Sequence, residues 1–159
     1  MKPEERLAEL LTSSRWTVAV AESCTGGALG NRITSVPGSS AYFLGGVTAY
    51  SDSAKSEVLG VPLDCLRNHG SVSAKTAAAM AAGVMDLFRA DFGLAVTGVA
   101  GPGGGSAKKP VGTVFLALVH EEEELVKELK LTGTREEIRC AAAEQALKLA
   151  CEFVVKQSA

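Results

Sequence analysis

The stretch Phe92–Thr113, FGLAVTGVAGPGGGSAKKPVGT, leads an apolar segment straight into a loop with six glycines between Gly98 and Gly112, two lysines and two prolines. The apolar part is rich in residues that suit a buried strand, and the glycines let backbone N–H groups approach a ligand closely. The loop lacks the G-x-x-x-x-G-K-[ST] of a phosphate-binding P-loop. Nor does it have the G-x-G-x-x-G spacing that opens a dinucleotide-binding helix. Nearer the N-terminus, Thr17–Gly27, TVAVAESCTGG, repeats the pattern of a strand running into a turn of small residues.

The elements on either side alternate. Leucines 7, 10 and 11 share one face of a helix over residues 4–13, and Trp16–Ala21 reads as a buried strand. A helix is expected over 24–35, a strand over Phe43–Tyr50, and a short helix from Ser53 to Leu59 stopped by Gly60 and Pro62. Ser73 caps a long helix to about Arg89, with Ala77, Met80, Ala81, Val84, Leu87 and Phe88 at helical spacing. Phe92–Thr97 is the next strand. Gly112–Val119 and Leu125–Leu131 form an antiparallel pair through a Glu121–Glu124 turn. Thr134 and Glu137 make a T-x-x-E capping box that opens a last helix to about Val155. The pattern predicts a single α/β domain over 1–159, a sandwich whose sheet is mixed because of the late hairpin.

Composition narrows the function classes. The chain has 159 residues, 47% of them hydrophobic, which suits a folded core. Its net charge of −2 argues against a general nucleic-acid binder. No apolar run reaches membrane-spanning length, and the charged N-terminus MKPEERLAEL is unlike a signal peptide. Cys24, Cys65, Cys140 and Cys151 lack C-x-x-C spacing and read as free thiols of a cytoplasmic protein. With only His69 and His120 available, a histidine-based triad or a zinc site has little support, and neither metal nor cofactor is expected.

In open α/β sheets, ligands sit beyond the carboxyl ends of the strands. Ser23 lies at such an end, where a hydroxyl is exposed and helix N–H groups can hold an oxyanion. A serine nucleophile needs a base, and with histidine scarce a lysine of depressed pKa can serve. Lys55, five residues after Tyr50 in Tyr50-Ser-Asp-Ser-Ala-Lys55, is the candidate. Read singly, Ser23 fits an ordinary N-cap better and Lys55 a solvated helix lysine, and Ser39 and Ser40 of Pro37-Gly-Ser-Ser40 are rival hydroxyls or else a turn or helix cap. Cys24 reads as a small buried hydrophobe, and Glu22 as either an orienting group or an exposed strand-end charge. Backbone N–H groups of Thr25, Gly26 and Gly27, or of the segment from Thr97 and Gly98 through Gly101, Gly103 and Gly104, are expected to bind substrate, and so is Ser40. Arg135 and Arg139, at the start of the last helix, read either as ligands for a substrate phosphate together with the helix N-terminus or as part of a solvated helix face.

Five motifs occur in order: Ala21–Gly27 AESCTGG, Pro37–Ser40 PGSS, Ala49–Lys55 AYSDSAK, Thr97–Ser106 TGVAGPGGGS and Lys109–Val114 KPVGTV. Together they resemble the CinA C-terminal-domain family, the nicotinamide mononucleotide amidases, over essentially the whole chain. The resemblance implies an α/β fold, a three-layer α/β/α sandwich with a mixed, mostly parallel sheet, and hydrolysis of the nicotinamide carboxamide to nicotinate mononucleotide and ammonia. It also implies a metal-free Ser–Lys mechanism with a nearby tyrosine, which falls on Ser23, Lys55 and Tyr50. Many members carry a second, metal-dependent nucleotide-hydrolysing domain; that activity is not expected here. The expected partner is the nucleotide substrate alone, with neither nucleic acid nor membrane, and the protein is expected to be a homo-oligomer. A catalytically silent nucleotide-binding or regulatory module, or an amidase for another small substrate, are the alternatives.

Overall fold

A computed structural model describes residues 1–121 and 123–158. Its elements run α1 (Pro3–Ser14), β1 (Val18–Glu22), α2 (Ala28–Thr34), a 3₁₀ turn (Ser39–Ala41), β2 (Phe43–Thr48), α3 (Asp52–Leu59), α4 (Leu63–His69), α5 (Ala74–Phe88), β3 (Phe92–Gly98), β4 (Thr113–His120), β5 (Glu123–Lys130) and α6 (Arg135–Gln157). The strands form one sheet in the order β2-β1-β3-β4-β5. β1 pairs in parallel with both β2 and β3, Val20 lying opposite Gly46 and Leu94. β4 is antiparallel to β3 and to β5, with Ala117 opposite Ala95 and Val126. Four strands therefore point one way and β4 alone opposes them.

The strand order explains the three layers. The chain steps from β1 to β2 in one direction and from β2 back past β1 to β3 in the other. Parallel crossovers are right-handed, so two steps of opposite direction place their helices on opposite faces. α2 covers one face together with α1 and α6, and α3, α4 and α5 cover the other.

Residue size separates those faces. Val18 and Val20 of β1, Phe92, Leu94 and Val96 of β3, and Leu116 and Leu118 of β4 all join the core beneath α1, α2 and α6. The alternate residues Ala19, Ala21, Ala95 and Ala117 face α5, which answers with Ala77, Ala78 and Ala81. Small residues on both sides bring α5 close to the sheet. A Cβ added at Gly93 would lie 2.0 Å from the Ala81 carbonyl oxygen.

The structure departs from the expected elements in a few places. The helix expected from residue 24 begins at Ala28, because Gly26 and Gly27 take left-handed φ angles of 57° and 104° and hold the preceding residues in a turn. β2 ends at Thr48, and the two residues after it lead into the Ser51 cap of α3. Residues 63–69 form α4, a helix not anticipated after Gly60 and Pro62. β5 starts at Glu123, two residues early; Glu122, part of the expected acidic turn, lies outside the described residues. The Thr134–Glu137 capping box is present and opens α6. No described helix is long and apolar enough to cross a membrane.

Candidate active site

Three chain segments leave the carboxyl ends of the parallel strands side by side. The Ser23 N–H donates to Val96 O of β3 (2.9 Å), and the Ala49 N–H to Glu22 O of β1 (2.8 Å), so the three strand ends are in register. Between them lies a cavity of about 240 Å³ lined by Ser23, Tyr50, Lys55, Ser71, Thr97, the backbone from Gly98 to Gly104 and Arg135.

At its floor sits Lys55, only 1% exposed although it is on the second turn of α3. Its Nζ is 3.0 Å from Ser23 Oγ, 3.0 Å from Ala49 O and 3.2 Å from Tyr50 O. α3 aims the side chain there because the Ser51 hydroxyl accepts the Ala54 N–H and starts the helix right after the β2 end. Burial lowers the Lys55 pKa from its ordinary value, and the opposing pulls of Asp52 and Cys24 are weaker. A neutral amine has two N–H groups and one lone pair. The two carbonyls can take the hydrogens, which leaves the lone pair facing the Ser23 hydroxyl.

The Ser23–Gly27 turn is held from both sides. Glu22, 3% exposed, accepts the N–H groups of Gly27 (3.2 Å), Leu29 (2.8 Å) and Gly30 (3.0 Å), and so caps α2. It is neither an exposed strand-end charge nor a group facing the cavity. Arg139 donates to Cys24 O (3.0 Å) and Thr25 O (3.1 Å) from α6. Cys24 is buried, and desolvation pushes its thiol up to about 11, so it stays protonated at neutral pH.

Several candidates are placed elsewhere. Thr25, Gly26, Gly27 and Arg139 lie outside the cavity lining. The Gly26 N–H closes the turn onto Ser23 O, Gly27 serves Glu22, and Arg139 is occupied with turn carbonyls. Ser40 is exposed in the 3₁₀ turn before β2, at the amino ends of the strands and so at the opposite end of the sheet from Ser23. Thr97 does line the cavity, but its hydroxyl donates to Ser71 O (2.8 Å) and supports the wall. Arg135 reaches the cavity mouth, donating to Gly101 O (2.6 Å) and to the Tyr50 hydroxyl (3.1 Å). Tyr50 is 60% exposed, with its ring at the mouth and its carbonyl on Lys55. Ser71 and Val72, unforeseen in the sequence, form the wall before α5. In the string G-S-V-S they look like an ordinary helix approach, and only their distance from Thr97 in space gives them a role. Among the described residues, no three His, Cys, Asp or Glu side chains are grouped to hold a metal, and all four cysteines are unbridged.

The CinA C-terminal domain family model matches residues 1–154. This chain belongs to the CinA C-terminal domain family. Among curated relatives, one from Desulforudis audaxviator, named as competence-damage inducible, is 47% identical over 156 residues, which is 98% of this chain and 38% of that protein. A CinA-like protein from Geobacter sp. strain M21 is 49% identical over 144 residues, 91% of this chain and 35% of its own. The chain thus spans little more than a third of the length of these relatives. Among solved structures, the competence/damage inducible protein CihA from Agrobacterium tumefaciens superposes with a TM-score of 0.90 at 40% identity, covering 95% of this chain and 94% of that one. A CinA superfamily protein from Klebsiella pneumoniae gives a TM-score of 0.93 at 31% identity, with 98% and 99% covered. The CinA fold accordingly accounts for essentially all of this chain.

Proposed function

We propose that this CinA domain is an amidohydrolase that converts nicotinamide mononucleotide to nicotinate mononucleotide and ammonia through Ser23 and Lys55. The observation that carries the reading is the buried Lys55 amine, 3.0 Å from the Ser23 hydroxyl and depressed in pKa. Burying a lysine without a carboxylate against it is costly, and a fold that needed only packing would place an apolar side chain there. A silent binding module has no use for that arrangement.

Neutral Lys55 takes the Ser23 hydroxyl proton as Oγ bonds to the carboxamide carbon. The oxyanion is met by backbone N–H groups at the cavity. Those of Gly26 and Gly27 are already engaged, so Cys24 or the Gly98–Gly104 segment supplies the donors. The C–N bond then breaks, and the amide nitrogen leaves as ammonia with the proton from Lys55. Water attacks the Ser23 ester, passing its proton through Lys55 back to the serine oxygen, and nicotinate mononucleotide departs. Every proton finds a place without a metal or cofactor. Arg135, at the mouth, is the side chain best placed for the substrate phosphate.

Ammonia release from nicotinamide mononucleotide, measured beside nicotinamide and NAD, tests the assignment. Turnover of the mononucleotide that vanishes in Ser23→Ala supports it. Turnover that survives Ser23→Ala and is lost in Cys24→Ala or Ser40→Ala overturns the nucleophile. No release from any of the three compounds overturns the substrate.

A further inference from the structure

The cavity wall that precedes α5 is held by side-chain donors. Three successive carbonyls before α5 each accept a side-chain donor: His69 O from Lys109 Nζ (2.7 Å), Gly70 O from Thr76 Oγ1 (2.6 Å) and Ser73 Oγ (3.1 Å), and Ser71 O from Thr97 Oγ1 (2.8 Å). The donors come from the glycine-rich loop, from α5 and from β3. A loop with three successive carbonyls so tied has little freedom to rearrange.

This wall stands close to the nucleophile. The Ser23 N–H bonds to Val96 O, and the next residue, Thr97, carries the hydroxyl that holds Ser71. Ser71 is half-buried and lines the same cavity as Ser23 and Lys55. Its own hydroxyl has no hydrogen-bond partner among the described residues, although the carbonyls of His69, Gly70 and Ser71 itself do. A hydroxyl left free on a rigid, half-buried wall beside a reactive serine is set to bond a bound molecule.

We propose that Ser71 is a substrate-binding, specificity-determining residue whose hydroxyl hydrogen-bonds the carboxamide-bearing end of the substrate while Thr97 and Lys109 fix its main chain. The proposal rests on the amidohydrolase reading of the Ser23 cavity. It separates two ends of the site: Ser71 at the reacting end, and Arg135 at the exposed mouth.

The test measures binding of nicotinamide mononucleotide by calorimetry to Ser23→Ala and to Ser23→Ala/Ser71→Ala, so that binding is read without turnover. One neutral hydrogen bond corresponds to a Kd about five- to tenfold weaker in the double variant. Nicotinamide riboside, which lacks the phosphate, should lose the same factor, because the contact lies at the carboxamide end. In the otherwise native protein, Ser71→Ala should raise KM by a similar factor and leave kcat within about twofold. Equal Kd values in the two Ser23→Ala proteins, or no binding to either, overturn the role of Ser71. A protein that binds the mononucleotide in a Ser71-dependent way but releases no ammonia overturns the amidase reading and leaves Ser71 as a binding residue. Thermal melting of both variants controls for folding; a loss of the phosphate-bearing ligand alone would move the contact to the mouth and also overturn the proposal.

Discussion

In the proposed mechanism Lys55 has to be neutral to act as a base, and its burial favours the neutral form. Its pKa is lowered by burial, so the proton-free fraction at pH 7–8 exceeds that of a solvated lysine. The rate should therefore rise with pH along a limb set by Lys55 and lying below the ordinary lysine value, as read from kcat/KM against pH. The same shift fixes a stability trend. Below the folded pKa both states hold the proton and the burial penalty is fully present; between the folded and unfolded values the unfolded chain holds more protons, so stability climbs with pH. Melting temperatures from pH 7 to 9 should show that rise in the native protein and lose it in Lys55→Met. If the two slopes agree, Lys55 is not depressed. In the proposed mechanism nucleophile and base act as one unit, so Ser23→Ala and Lys55→Ala should each abolish turnover, with the double variant little worse than either. Additive losses in single-turnover rates would separate the two roles. The closeness of Ser23 and Lys55 was legible in the sequence because Ser23 follows the end of one strand and Lys55 lies on the short helix that follows the end of another. The occupation of Arg139 by turn carbonyls was not, because a cation at a helix start looks alike whether it faces a phosphate or a backbone.

Among the elements, α3 carries Lys55, the proposed base, and α5 sets where α3 lies. Gly83 is interior to α5, where an alanine would ordinarily gain about 1 kcal/mol in helix propensity. Here the sign reverses. A Cβ at Gly83 would lie 1.9 Å from the carbonyl oxygen of Leu59, at the last residue of α3. Backbone cannot yield as a flexible side chain does, so α3 has to move, at a cost of roughly 1–3 kcal/mol or more for an overpacked core. Overpacking outweighs propensity, and Gly83→Ala should destabilise the protein in urea while lowering kcat through displacement of Lys55. A stabilised protein with unchanged kcat would show that α3 and α5 are not packed this closely. Apolar spacing marked α5 and its Ser73 cap in the sequence. It could not mark the helix–helix approach, because that depends on a glycine meeting a carbonyl 24 positions away. α4 was missed for a related reason: Pro62 reads as a stop, yet proline is tolerated beside a helix start, and here it is the N-cap.

At the scale of the whole molecule, the site exists because distant segments meet at one end of the sheet. The order β2-β1-β3 and right-handed crossovers bring the ends of β1, β2 and β3 together, and the strand-to-turn pattern was enough to place the site there. Ser40 fell at the other end because it precedes a strand, and a parallel sheet separates residues before its strands from residues after them. α6 closes the arrangement by sending Arg135 across the mouth to Gly101 O and the Tyr50 hydroxyl. Both are neutral acceptors. A phosphate offers the guanidinium charged oxygens and stronger, paired hydrogen bonds, so it should draw Arg135 from them. Because the side chain is exposed, solvent and salt weaken the gain. Arg135→Ala should then raise KM for nicotinamide mononucleotide by about tenfold, on the order of 1.4 kcal/mol, with the loss shrinking as ionic strength rises. The same variant should change KM for nicotinamide riboside by less than about twofold, since that molecule has no phosphate to hold. Equal losses on the two compounds at every salt concentration would instead mean that Arg135 acts by bracing Gly101 and Tyr50, and the phosphate would have to be held elsewhere along the glycine-rich loop.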